Sequence, residues 1–81
     1  MQNLKDDLRN LIAEIIERDA SAIGDETPLK DLGVDSMQAV EIAAEIERAF
    51  KLKIAESELR SITTLASVHR IVEGKLSAAS A

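Results

Sequence analysis

The chain has 81 residues with 15 acids and 10 bases, which give it a formal charge of −5 at pH 7, and 46% of its residues are hydrophobic. This length and composition predict one globular domain. With no Cys, one His, one aromatic residue and no apolar run of about 18 residues, the sequence argues against disulfides, a metal site, nucleic-acid binding and a membrane span. We expect a cytoplasmic monomer that does not insert into membranes and whose partners are basic proteins.

A first amphipathic helix is predicted from Leu4 to near Arg18, with Asn3 as its N-cap. Its apolar residues recur at spacings of three and four, as in the buried stripe of a helix: Leu4, Leu8, Leu11, Ile12, Ile15 and Ile16. The connection from Asp19 to Asp35 contains one Pro and two Gly, which favour loop structure. Its apolar residues indicate that it packs onto the helices, and a loop of this length in a small domain usually has a function.

A second helix is predicted over Met37–Lys51, and its apolar positions cover more than one core stripe, so we expect some of them on the surface. A short helical turn over Glu56–Ser61 and a last helix capped by Thr63 or Thr64 follow. The predicted fold is all-α: a four-helix bundle of three main helices and one short helix, with a long first loop. We expect the domain to cover residues 1–76 and residues 77–81 to form a frayed C-terminal tail.

Negative charge is concentrated between Asp25 and Glu47, where seven acids and one base, Lys30, give a net charge of −6. Acids on a helix often form only a solvated face. Their concentration on one loop and the helix after it also predicts an interaction surface that attracts basic partners.

Ser36 is the residue of chemical interest, because it lies where the long loop meets the second helix. An exposed hydroxyl at a helix N-terminus is close to backbone N–H groups that favour a bound anion. The plainer interpretation is that Ser36 only caps the helix, since Ser is a common N-cap. A hydrolase with Ser36 as nucleophile is disfavoured, because no G-x-S-x-G motif surrounds it and the one available base is His69.

The pattern L-x-x-L-G-x-D-S-M, from Leu29 to Met37, resembles the modification site of acyl carrier proteins. The order and spacing of the predicted elements from Leu4 to Val72 are similar to that family as well, and the short length and Met1 favour its discrete, type II form. The resemblance implies a protein that is not an enzyme. Such a carrier holds acyl intermediates as thioesters on a 4'-phosphopantetheine arm and presents them to enzymes of fatty acid, polyketide or related acyl biosynthesis.

The resemblance also implies roles for particular residues. Ser36 would be the attachment point for 4'-phosphopantetheine from coenzyme A, Asp35 would assist the phosphopantetheinyl transferase and its metal ion, and Gly33 would allow a tight approach into the helix. Basic-surfaced partner enzymes would recognise Met37, Glu41, Glu45 and Glu47. An apolar interior that shelters acyl chains would be lined by Val40, Ile46, Leu59, Ile62 and Val72.

The sequence departs from the family pattern at several positions. Gln38 stands where carriers of primary fatty acid synthesis usually have an acid, Ala43 and Ala44 replace larger aliphatic residues, and Ala55 replaces a frequent proline. These departures favour a specialised pathway. Two alternatives stay open: an acidic helical adaptor that is never modified, and a peptidyl or aminoacyl carrier, although Val34 stands where peptidyl carriers often have a second glycine.

Overall fold

The computed structural model describes residues 3–80, and the side chains of residues 3–77. Its four α-helices are α1 (Leu4–Ile16), α2 (Ser36–Phe50), α3 (Glu56–Leu59) and α4 (Leu65–Ser80). Two short 3-10 helices, Ala20–Ala22 and Leu29–Leu32, lie in the connection between α1 and α2. No strand occurs over residues 3–80, and no helix in that range has the length and apolar character of a membrane span. The predicted bundle of three main helices and one short helix, with a long first loop, is confirmed.

The first helix ends slightly earlier than predicted. It stops at Ile16, before the predicted end near Arg18, because Glu17 adopts a left-handed conformation (φ 57°) that ends the helix. Asn3 is the N-cap, as predicted, and its Oδ1 accepts a hydrogen bond of 2.8 Å from the Asp6 N–H. A helix boundary shift of this size leaves the buried face unchanged.

The last helix begins after Thr64, whose hydroxyl oxygen accepts a hydrogen bond of 3.1 Å from the Ser67 N–H. Of the two predicted caps, Thr64 therefore fills the role. The short helix before it, α3, ends at Leu59, two residues before the predicted Ser61. Helix α4 extends to Ser80, while Ala81 and the side chains of residues 78–80 lie outside the described part of the chain. The domain boundary after residue 76 and the fraying of residues 77–81 therefore stay predictions.

The core consists of aliphatic side chains from all three long helices, from the long loop and from the turn between α3 and α4. Helix α1 packs against both α2 and α4. Two loop residues, Ile23 and Leu29, are only 2% and 1% exposed. The buried residues are Leu8, Ile12, Ala13, Ile23, Leu29, Ile42, Ala43, Ile46, Ile62, Leu65, Val68 and Val72. The loop is thus part of the core, as its apolar residues predict.

Hydrogen bonds attach the long loop to the opposite side of the bundle. The Leu29 N–H donates to the Thr63 carbonyl at 2.8 Å, and the Ala66 N–H donates to the Asp25 carbonyl at 2.9 Å. The Asp25 carboxylate also forms ion pairs with two bases of α1. Because the middle of the loop is fixed in this way, the residues that follow it have a defined path to the start of α2.

Candidate functional site

A left-handed turn at Gly33 leads the chain from the loop into α2. Gly33 has φ 90° and follows the 3-10 helix Leu29–Leu32, and its N–H donates to the Lys30 carbonyl at 3.1 Å. A Cβ at this position would meet no atom within 4 Å. The glycine is therefore needed for its positive φ, and the predicted tight approach is not what requires it.

Asp35, and not Ser36, is the N-cap of α2. Its backbone is extended (φ −100°, ψ −175°), and its Oδ1 accepts a hydrogen bond of 2.8 Å from the Gln38 N–H. Its main-chain carbonyl accepts a hydrogen bond of 2.9 Å from the Ala39 N–H. The interpretation of Ser36 as a simple cap is therefore wrong. Ser36 is the first residue of the helix, whose start lies one residue before the predicted Met37.

The Ser36 hydroxyl is exposed and makes no hydrogen bond within the described residues. The backbone N–H groups of Ser36 and Met37 also lack an acceptor in residues 3–80, because the first amides of a helix have none inside it. These amides and the positive end of the α2 dipole favour an anion beside the hydroxyl. The arrangement combines an accessible hydroxyl with a local field that stabilises a phosphate ester.

Three surface depressions border Ser36, and one of them, of about 290 Å³, is lined by Ser36, Met37 and Val40. The other two are named for the elements beside them. The loop-side depression has a volume of about 380 Å³, and the α3-side depression has a volume of about 290 Å³. Ser36 and Ala39 line both. The other lining residues of the loop-side depression are Pro28, Leu29, Lys30, Val34, Asp35, Ile62 and Thr63. Those of the α3-side depression are Val40, Glu56, Leu59 and Arg60.

The residues predicted to line an acyl-sheltering interior are divided among three places. Ile46 and Val72 are 0% exposed in the core, Ile62 lines the loop-side depression, and Leu59 lines the α3-side depression. Val40 lines the α3-side depression, so its role in acyl shelter stays a prediction, but it is 54% exposed and not buried. The reason is helical geometry, since Val40 follows the exposed Ser36 by four residues and lies on the same face of α2.

The residues predicted to recognise partners do not form one uniform surface. Met37 is 80% exposed, and Glu41 is also exposed. Glu45 pairs at 2.8 Å with the guanidinium three residues later and borders α1. Glu47 is half-buried, and its Oε2 accepts a hydrogen bond of 2.8 Å from the Ile54 N–H. Two of the four residues are thus free at the surface, while the other two have partners inside the domain.

Two cations beside Ser36, Lys30 and Arg60, were not predicted as site residues. Lys30 lines the loop-side depression and Arg60 lines the α3-side depression. Both are exposed, and neither forms an ion pair with the described side chains. The sequence did contain a signal for one of them, because Lys30 is the only base between residues 25 and 47.

The carboxyl groups with shifted pKa values lie in ion pairs that join parts of the fold. A hydrogen bond from Lys5 is the main cause that lowers the pKa of Asp25, and this pair joins the loop to α1. A hydrogen bond of 2.8 Å from Lys75 is the main cause that lowers the pKa of Glu58, and this pair joins α4 to α3. Among the described side chains, no group of three or more His, Cys, Asp or Glu residues is arranged to hold a metal ion.

Comparisons with known proteins agree with this geometry. A family model described as a phosphopantetheine attachment site matches residues 6–72. The chain is 36% identical over 73 residues to polyketide-8 synthase acyl carrier protein 2 of Streptomyces avermitilis, covering 89% of this chain and 84% of that protein. It is 38% identical over 72 residues to a non-reducing polyketide synthase of Aspergillus niger, covering 89% of this chain but 3% of that protein. Among solved structures, the HMG-ACPI domain from the CurA module of Lyngbya majuscula matches with a TM-score of 0.79 and 26% identity, covering 94% of this chain and 78% of that chain.

Proposed function

The chain belongs to the phosphopantetheine-attachment family of carrier proteins, which are not enzymes, and on that premise we propose that Ser36 carries the 4'-phosphopantetheine arm. When attached, the arm supplies a thiol on which acyl groups are held as thioesters. One observation supports Ser36 above all others: its hydroxyl is exposed at the first residue of α2 and has no hydrogen-bond partner in the described chain. Tethering acyl groups in this way raises their effective concentration at partner enzymes.

The residues around Ser36 fit a phosphodiester. Loading forms a bond between Ser36 Oγ and the pantetheine-bearing phosphorus of coenzyme A, breaks the pyrophosphate bond, and releases 3',5'-ADP and the hydroxyl proton. The free N–H groups of Ser36 and Met37 stabilise the negative charge of the product. Asp35 fixes the start of α2 through its cap bond to the Gln38 N–H. We assign to the same carboxylate the role of assisting the transferase and its metal ion.

Intact mass spectrometry tests the assignment of Ser36. Incubation with a phosphopantetheinyl transferase and coenzyme A is expected to add one phosphopantetheine to the wild type and none to Ser36→Ala. Ser57→Ala is the matched control, because Ser57 is another exposed serine on a helix, and it should be loaded fully. No mass gain in the wild type would favour the unmodified adaptor, and a gain in Ser36→Ala would contradict the assignment.

We further propose that the loaded protein serves polyketide assembly. The support is the 36% identity to the Streptomyces polyketide carrier over most of both chains and Gln38 in place of an acid next to the site. The holo-protein should accept and pass on acyl groups faster with the acyltransferase and ketosynthase of a polyketide system than with a fatty acid pair. Faster transfer with the fatty acid pair would contradict this pathway, and loading by an amino-acid adenylating enzyme alone would favour a peptidyl or aminoacyl carrier.

The partners we propose are the phosphopantetheinyl transferase and acyl-processing enzymes with basic surfaces. Met37 and Glu41 offer them the exposed part of α2, and Glu45 and Glu47 contribute charge while they keep their internal partners. We propose that the protein acts as a cytoplasmic monomer. Size-exclusion chromatography with light scattering tests the monomer, since a stable dimer would double the measured mass.

An acyl chain on the arm is proposed to be sheltered between α2 and α3. Val40 and Leu59 already line a depression beside Ser36, and Ile62 lines the other one. Ile46 and Val72 are fully buried, so a chain would reach them only if the core opened. Shelter of this kind predicts that the melting temperature of the acylated protein rises with acyl length, because more apolar surface is buried. A melting temperature independent of acyl length would contradict it.

A further inference from the structure

We propose that the loop-side depression binds the first segment of the arm, with Lys30 pairing with its phosphodiester and the apolar wall receiving the carbons next to it. The proposal rests on the attachment at Ser36. It goes further because it assigns the first segment of the arm to one of the depressions beside Ser36 and gives Lys30 a positioning role. It leaves the thiol end of the arm free.

The charges around Ser36 create the need for a cation. Attachment places a negative phosphodiester directly beside Asp35, in the acidic segment between residues 25 and 47. Like charges at short range repel each other, and a nearby cation offsets the repulsion. Lys30 lines the same depression as Ser36 and Asp35, and its ammonium group has no partner among the described residues. It is therefore available to pair with the phosphodiester.

The wall of the depression matches the part of the arm that follows the phosphate. That part is a quaternary carbon with two methyl groups, followed by a hydroxyl and an amide. Val34 and Ile62 present apolar surface, and Thr63 presents a hydroxyl that makes no hydrogen bond in the described structure. The wall is also held in place, because the Leu29 N–H donates to the Thr63 carbonyl at 2.8 Å. A preformed wall reduces the ordering cost of binding.

The size of the depression limits what it can hold. A volume of about 380 Å³ corresponds to about a dozen water molecules. This is enough for the first segment of the arm but not for the whole arm with an acyl chain. Binding of the first segment there would restrict the directions in which the rest of the arm, with its thioester, can extend from the surface. The thiol end of the arm would stay mobile and able to enter partner enzymes.

The α3-side depression is less suitable than the loop-side depression. It contains Arg60, but it also contains Glu56, whose carboxylate would face the phosphodiester with the same charge. It is also smaller, at about 290 Å³. Its wall includes Val40, which is 54% exposed. Arg60 therefore supplies a matched control, since it is an exposed, unpaired cation beside the same serine.

Backbone amide NMR spectra of the apo- and holo-proteins test the proposal. Loading is first established by intact mass, so failure of attachment is recognised separately from failure of this inference. In the wild type, loading should shift the Ile62 and Thr63 amides more than those of Leu59 and Arg60. In holo-Lys30→Gln the shifts at Ile62 and Thr63 should fall at least twofold. In holo-Arg60→Gln, which loses the same charge, they should stay as in the wild type.

Three outcomes would overturn the proposal. One is a wild-type protein that loads but shows no shifts at Ile62 and Thr63, and another is a set of shifts confined to Leu59 and Arg60. The third is an equal response in Lys30→Gln and Arg60→Gln, which would reduce Lys30 to a general contribution to charge. Added salt supplies a further check, because pairing with the phosphodiester should weaken as ionic strength rises in the wild type. Since Lys30 is exposed, the variant is expected to fold, and its apo spectrum shows whether it does.

Discussion

Asp35 combines two functions that substitution can separate. Its Oδ1 caps α2 through a hydrogen bond of 2.8 Å from the Gln38 N–H, and its charge is proposed to assist loading of Ser36. Asp35→Ala removes both the cap and the charge. Asp35→Asn keeps an oxygen that can cap a helix equally well and removes only the charge. The pair of variants therefore distinguishes a structural role from recognition by the transferase.

Stability is expected to follow the cap. Loss of an exposed N-cap bond costs about 1 kcal/mol, which in a domain of this size lowers the melting temperature by about 4–8 °C. Asn should cost only about 0.3–1 kcal/mol, the value of a carboxylate at a helix N-terminus. Because the chain has no Trp or Tyr, the free energy of unfolding is best measured by urea titration with far-ultraviolet circular dichroism.

Loading is expected to follow the charge. If the transferase and its metal ion bind the Asp35 carboxylate, Asp35→Asn and Asp35→Ala should both lose about tenfold in the initial loading rate, which corresponds to about 1.4 kcal/mol. Intact mass at short times measures that rate. Wild-type loading in Asp35→Asn would refute the role of the charge. Equal destabilisation by Asn and Ala would refute the role of the cap.

Three further predictions concern other parts of the molecule. Gly33→Ala should lower the free energy of unfolding by about 1 kcal/mol or more, because Gly33 has a φ of 90°. Gly74→Ala, at an open position inside α4, should raise the free energy of unfolding by about 0.5–1 kcal/mol. Equal effects of the two variants in urea titrations would contradict this account. Glu41→Lys should weaken binding to a basic partner enzyme more than Glu73→Lys, where Glu73 is an exposed acid on α4. The difference in binding between the two variants should shrink as salt rises. A difference that persists at high salt would argue against electrostatic recognition. Asp25 has a lowered pKa, so its contribution to stability is present above its ordinary pKa of 3.8 and is lost as the pH falls through the lower, folded-state pKa. Asp25→Asn should therefore be less stable than the wild type at neutral pH and should lose less stability on acidification. Parallel profiles of stability against pH would contradict the ion pair.

Hydrophobic spacing was sufficient to predict the three long helices, because burial of one face determines where a helix forms. Their exact ends depended on single backbone conformations. Glu17 ends α1 by adopting φ 57°, and Lys51 follows α2 with φ 55°. Neither residue belongs to the types that favour positive φ, so composition offered no sign of these ends. The two 3-10 helices in the long loop were missed for a related reason, since short segments have too few residues to show a period.

The family and a candidate attachment residue were predictable from the sequence, whereas the surroundings of that residue were not. The Asp-Ser pair and the residues before it led to Ser36 through the family resemblance, and the family model over residues 6–72 confirms that family. Lys30 and Arg60 are 30 residues apart along the chain, and the fold alone brings both beside Ser36. The exposure of Val40 was not predicted, because an aliphatic residue on an amphipathic helix is usually buried.

The acidic segment shows why a sum of charges describes this surface poorly. The sequence gives a net charge of −6 between residues 25 and 47, but part of that charge already has partners within the fold. Asp25 is paired with α1, Glu45 with a guanidinium of its own helix, and Glu47 with a backbone N–H. Glu26, Asp31 and Glu41 are exposed and form no ion pair within the described residues. The unpaired acids therefore lie on the long loop and the first half of α2, so we expect a basic partner to be attracted most strongly to that part of the surface.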